Sequence, residues 1–134
     1  GGILGLDSHL NIAVIVIGHL VAALANYQNF VSLGFNLVAL FDQDPKVIGT
    51  VQNHVKVEDV RELAQIVRER HVDIGIIAVP AAFAQEVADR LVAAGVKGIW
   101  NFAPIKMQVP DSMHIVNEDL SIGLSRLSYY ITRR

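Results

Sequence analysis

Four places in this 134-residue chain carry residues that could hold a ligand, and each follows an apolar run. The first is the stretch from Val14 to Leu24, where an apolar run meets Gly18 and then small residues. A glycine between strand and helix lets backbone approach a pyrophosphate, whose charge the free N–H groups of the helix start can hold. The dinucleotide fingerprint is Gly-x-Gly-x-x-Gly, and here Val16-x-Gly18-x-x-Val21 keeps its middle glycine. Gly18, His19 and Leu20 are the candidate phosphate contacts. An ordinary strand-to-helix turn would look the same. Asp42 is the second place, 24 residues after Gly18. An acid at that distance accepts hydrogen bonds from the ribose hydroxyls of NAD and repels the 2′-phosphate of NADP. Asp42-Gln43-Asp44-Pro45 also has good turn chemistry without any ligand. Val79-Pro80 is the third place. Asn101-Phe102-Ala103-Pro104 is the fourth, with an amide, an aromatic ring and a rigid turn that suit a flat ring such as nicotinamide. It also reads as a plain strand exit. Trp100, just before it, reads as core packing.

Other chemistries are poorly supplied. The five histidines show no HxxxH or HxH spacing, so no metal site is expected. The absence of cysteine excludes disulfides, thiolate metal sites and a cysteine nucleophile. Ser121, Ser125 and Ser128 lie far from any plausible triad. Glu58, Arg61, Glu62 and Arg68 read as a solvated helix face. A dehydrogenase would need a substrate domain and a proton relay, and neither is legible, so binding without turnover is expected.

The elements that must position these residues follow from periodicity. Apolar, β-branched runs at 12–17, 36–41 and 74–79 read as strands buried on both faces. Shorter strands are expected at 98–102 and 113–116, with a small edge strand at 52–55. Residues 57–70 read as a helix, with Val60, Leu63, Ala64 and Val67 on one face. Helices are also expected at 19–26, at 81–94 (closed by Gly95) and at 120–131. Strands alternating with helices imply βαβ crossovers and a parallel sheet, hence an α/β, Rossmann-like, doubly wound fold. In such sheets ligands bind at the carboxyl ends of the strands, which puts all four places along one crevice.

Bulk properties fit that reading. Hydrophobic residues make up 52% and charged residues 18%, too apolar for a disordered chain. A net charge of -2 gives no basic excess for nucleic acid. No apolar run approaches the ~18 residues of a membrane span. One domain is expected over 1–134, with 1–10 as a lead-in and 120–134 as a C-terminal helix. A cytoplasmic location is expected.

Taken together, the chain resembles the C-terminal domain of the Rex family of redox-sensing transcriptional repressors. The motifs carrying the likeness are Ile3-Leu4-Gly5-Leu6, Ala23-Leu24-Ala25-Asn26-Tyr27, Phe41-Asp42-Gln43-Asp44-Pro45 and Val79-Pro80. They continue in Ala84-Gln85-Glu86-Val87-Ala88-Asp89-Arg90-Leu91, Gly98-Ile99-Trp100-Asn101-Phe102-Ala103-Pro104 and Asn117-Glu118-Asp119-Leu120-Ser121. The resemblance implies a domain that binds NADH or NAD and dimerises by exchanging its last helix, here 120–131. It implies that Asp42 holds the adenosine ribose and that Val79, Pro80, Asn101, Phe102, Ala103 and Pro104 line the nicotinamide half. It implies that Tyr27 and Asp119 approach each other across the dimer in a redox-dependent way. The family's winged-helix domain is not in this chain, so the chain alone is expected not to bind operator DNA.

The phosphate loop departs from the family pattern. Val16, Val21 and Ala22 stand at the first glycine, the third glycine and the position after it. A valine forced to positive φ would be strained. Val21 would add bulk where helix and strand touch, at roughly 1–3 kcal/mol. Two alternatives therefore stand beside the sensor reading. One is a degenerate or redesigned Rossmann dimer that no longer binds dinucleotide. The other is a CoA-binding domain like those of acyl-CoA ligases, which also use a glycine-containing first turn.

Overall fold

A computed structural model describes residues 9–16, 33–118 and 120–133 of the chain. Gly18, His19, Leu20, Val21, Tyr27 and Asp119 lie outside the described residues, as does the helix expected at 19–26. The described strands form one seven-stranded sheet. In chain order they are β1 (Leu10–Val16), β2 (Phe35–Asp42), β3 (Val51–Gln52), β4 (Val55–Asp59), β5 (Ile74–Ala78), β6 (Gly98–Asn101) and β7 (His114–Asn117). The helices are a 3-10 turn at Val60–Glu62, then α1 (Leu63–Glu69), α2 (Ala81–Ala93) and α3 (Leu120–Thr132).

The spatial order is β3-β4-β2-β1-β5-β6-β7. All neighbouring pairs are parallel except the β3–β4 hairpin. With the short β3 set aside, six parallel strands run in the doubly wound Rossmann order. The order reverses between β1 and β5, and a crevice is expected beyond their carboxyl ends.

The expectation of doubly buried strands holds. Ile12, Ala13, Val14, Ile15 and Val16 are each 2% exposed or less. Alternation sends Ala13 and Ile15 to one face and Ile12, Val14 and Val16 to the other. The first face packs on Leu63, Ile66 and Val67 of α1 and on Ala84, Val87, Ala88 and Leu91 of α2. Close approach is built in at Gly75 of β5. A Cβ there would lie 2.5 Å from Leu91 Cδ1, so only glycine lets α2 settle this near the sheet. Gly95, at φ +95°, ends α2 as expected.

Two element readings need correction. The helix expected over 57–70 begins only after residue 59, because residues 55–59 form β4. Leu40, Phe41 and Asp42 of β2 pair with Val57, Glu58 and Asp59. A non-local ladder thus captures residues whose local pattern also continues a helix. Asp59 then starts the helical part, its side chain accepting from Arg61 N at 2.9 Å. The edge strand expected at 52–55 is instead a hairpin. Asn53 and His54 adopt φ of +48° and +66°, which turns the chain between β3 and β4.

Candidate functional site

A cleft of about 540 Å³ opens at the carboxyl edge of the sheet, next to the reversal point. Its floor is Ile15 and Val16 of β1 and Val79 after β5. One wall is Gln43, Pro45 and Ile48, from the segment after β2. The other walls are Asp59, Val60 and Arg61, beyond β4, and Phe83, Glu86, Val87 and Arg90 on one side of α2. The result is a mainly apolar cleft with charged groups at its rim, the general make-up of a small-molecule site.

The rim charges are already paired. Arg61 grips Asp59 with two nitrogens, Nη2 at 2.8 Å and Nε at 3.1 Å. These bonds hold the Asp59 carboxyl below its ordinary value and raise the Arg61 guanidinium. Arg90 donates to Glu86 Oε1 at 2.8 Å and reaches across to the Val60 carbonyl at 3.3 Å. That reach ties α2 to the 3-10 turn and fixes the width of the slot.

Asp42 ends β2 and is fully buried. Its Oδ1 accepts from Gln43 N at 2.6 Å and Asp44 N at 3.0 Å. The carboxylate therefore organises the turn that forms one wall of the cleft, the ligand-free role that its turn chemistry allowed. Asp42 itself is not in the lining.

Val79 is buried in the floor, and Pro80 is exposed at the cap of α2. Asn101 closes β6 and is fully buried. Its Nδ2 faces three acceptors, Ala103 O at 3.2 Å, Ile105 O at 3.2 Å and Asn117 Oδ1 at 3.0 Å. Its Oδ1 accepts from Ala103 N at 2.9 Å. The amide is thus turned inward, on its own loop and on Asn117 of β7. Phe102 donates its N–H to Ile77 O at 2.8 Å, which holds the loop against the end of β5. Its ring lies 4.7 Å from that of Trp100, and both rings, half-buried, pack against the second core cluster, so Trp100 sits at the margin of the core rather than inside it. Ala103 is buried and Pro104 exposed. The structure brings Asp42, Val79, Pro80 and Asn101–Pro104 to one edge of the sheet, but only Val79 among them lines the cleft.

Val16 overturns one expectation. At the first-glycine position it has ordinary strand geometry, pairs with Ala78 and is fully buried. The described non-glycine residues with positive φ are Asn53, His54 and His71, so no strain arises at Val16. Its side chain forms part of the cleft floor. The sequence reading missed Asp59 and Arg61 because it takes 57–70 as one amphipathic helix, and Phe83 and Arg90 because nothing in the 81–94 pattern marks the side of that helix that faces the cleft. The signal for the break was the β-branched alternation Val55-x-Val57 followed by an aspartate suited to start a helix.

A family model described as CoA binding domain matches residues 7–105. The chain belongs to that family. The likeness to Rex repressors also holds across almost all of it. The redox-sensing transcriptional repressor Rex of Carboxydothermus hydrogenoformans is 47% identical over 131 residues, which is 98% of this chain and 63% of that protein. A crystal structure of RSP, a Rex-family repressor, in complex with beta-NADH superposes with a TM-score of 0.87 at 43% identity. It covers 96% of this chain and 62% of the other. RSP in complex with beta-NAD+ and operator DNA gives 0.87 at 42% identity, over 96% of this chain and 59% of that one. The chain spans 60–63% of the length of the curated relatives it matches. Close relatives are thus transcriptional repressors. Among the described residues, no helix is long and apolar enough to cross a membrane.

Proposed function

We propose that this chain is the NADH/NAD-sensing and dimerising domain of a Rex-type redox-sensing repressor, acting in the cytoplasm by binding without turnover. The observation that carries it is the near-complete superposition on a repressor crystallised with beta-NADH. The cleft at the strand-order reversal supports it, with Val79 in its floor and the Asp42 turn in its wall. In this reading the adenosine half occupies the slot between Gln43 and α2. The nicotinamide half runs toward Val79-Pro80 and Phe102–Pro104. Gly18, His19 and Leu20 face the phosphates, and Tyr27 and Asp119 form the redox-dependent contact between subunits.

The dimer reading rests on α3. Its side chains from Ser125 onward are exposed, including Leu127 at 55%, Tyr130 at 72% and Ile131 at 61%. An apolar helix face left in water calls for a covering surface. The sheet offers an apolar recess of about 340 Å³ lined by Ile74, Trp100 and Val116. Trp100 Nε1 is buried there and finds no acceptor among the described residues. Exchange of α3 between two copies would cover such surfaces. Operator DNA is contacted by the whole repressor and not by this domain.

Titration with NADH, read by Trp100 fluorescence, tests the reading. Quenching or energy transfer that saturates is expected. No change at millimolar NADH overturns NADH binding and favours the degenerate dimer. The family model favours a second reading, a CoA ligand in the same cleft. Calorimetric competition between CoA and NADH separates the two.

A further inference from the structure

We infer that Asp59 is a specificity-determining residue: by holding Arg61 it keeps the cleft for a dinucleotide with a free ribose and against one with a ribose phosphate. The inference rests on the functional reading, in which the adenosine half lies between Gln43 and α2. Asp42 and Asp59 are register partners at the carboxyl ends of β2 and β4. Neighbouring strands lie roughly 4.8 Å apart, so two carboxyl groups stand side by side at this edge of the sheet. Their bonds differ. Asp42 Oδ1 takes the amides of its own turn. Asp59, in the cleft lining, takes the Arg61 amide through Oδ1 and the Arg61 guanidinium through Oδ2.

A ribose phosphate needs a cation, and an arginine near the acid that ends the second strand is the usual one. Arg61 and Arg90 are the cations in the described lining of the cleft. Arg90 is tied twice, to Glu86 and to the Val60 carbonyl. The Arg61 guanidinium is bonded to Asp59, and its side chain is otherwise 82% exposed, so it can swing toward a ligand once that bond is lost. A phosphate arriving beside Asp42 therefore finds both cleft cations engaged, and drawing Arg61 to it would strip Asp59 of its partner. Asparagine at position 59 removes the charge and keeps an oxygen for the Arg61 amide. The 3-10 turn then keeps its cap while the guanidinium is released.

Calorimetric titration with NADH and with NADPH tests this on the full chain, on Asp59→Asn and on the double variant Asp59→Asn/Arg61→Gln. The two nucleotides share the pyrophosphate and both rings and differ by one ribose phosphate, so the ratio of their affinities isolates that group. The unaltered chain should prefer NADH. Asp59→Asn should shrink the preference about fivefold, chiefly by tightening NADPH, which is the scale of an exposed ion pair. The double variant should lose that gain. NADPH bound as tightly as NADH by the unaltered chain would overturn the role. So would equal gains for both nucleotides in Asp59→Asn, which would reflect charge acting on the shared pyrophosphate. A gain that persists in the double variant would overturn it too, since Arg61 would not be the released group. Binding of neither nucleotide by any of the three proteins overturns the functional reading and this role with it. NADH binding with the same preference in all three overturns this role alone.

Discussion

Replacing Val16 by glycine should trade stability for ligand affinity. The side chain is fully buried among Ile12, Val14, Leu40, Val57 and Ile76, and it also forms part of the cleft floor. Losing a buried valine removes about 1.5–3 kcal/mol of burial. Glycine in a strand adds about 0.5–1 kcal/mol of backbone entropy. The sum is roughly 2–4 kcal/mol. With an unfolding entropy near 2.1 cal/mol/K per residue, a chain of this length has about 0.28 kcal/mol/K. The melting temperature should then fall by roughly 7–14 °C. The freed volume opens into the cleft, so under the proposed function NADH affinity should rise at least about tenfold, or 1.4 kcal/mol. Thermal melts and Trp100-detected titrations on the same samples read both effects. A melt that falls as expected with unchanged affinity would refute the idea that Val16 obstructs the site. An unchanged melt would refute the burial argument.

Three further outcomes follow from named contacts. Asp42→Ala should lower stability by about 1–2 kcal/mol by leaving the Gln43 and Asp44 amides uncapped. Asp42→Asn keeps a capping oxygen, so it should hold the melt while weakening NADH binding. Equal affinity in Asp42→Asn and the unaltered chain would leave Asp42 with the turn alone. Gly75→Ala should cost about 1–3 kcal/mol, because its Cβ collides with Leu91. A neutral result in chemical denaturation would show that α2 shifts freely. Arg61 holds the Asp59 carboxyl below its ordinary 3.8. The stabilisation from this pair is complete above that ordinary value and is lost as pH falls through the lowered one. Arg61→Gln should move the Asp59 titration back up, as read by carboxyl NMR shifts, and no movement would contradict the assigned cause.

The strands were legible because their signal is local. Ile12–Val16, and likewise Ile76 and Ile77, are β-branched runs that satisfy no helix period and no exposed surface. The placing of Asp42, Val79 and Asn101 at one edge was legible for a related reason. Parallel βαβ order brings successive strand ends to the same side. A crevice at this edge was expected, but its lining was not legible. Its lining gathers a few residues each from four strand ends, the 3-10 turn and one helix, and no sequence window contains them together.

The sequence by itself determined the buried strands and the stop signals at Pro80 and Gly95, since each depends on a residue and its near neighbours. Tertiary structure decided the identity of residues 55–59. Pairing Val57 with Leu40 outweighed a helical pattern that extended back to Val57. It also decided what the polar residues do. Asp42 bonds the amides of its own turn, and Asn101 bonds its own loop and Asn117, because at the crowded carboxyl edge buried backbone groups must find partners. And it decided that Val16 is relaxed, since the strand continues through that position and asks nothing of its φ.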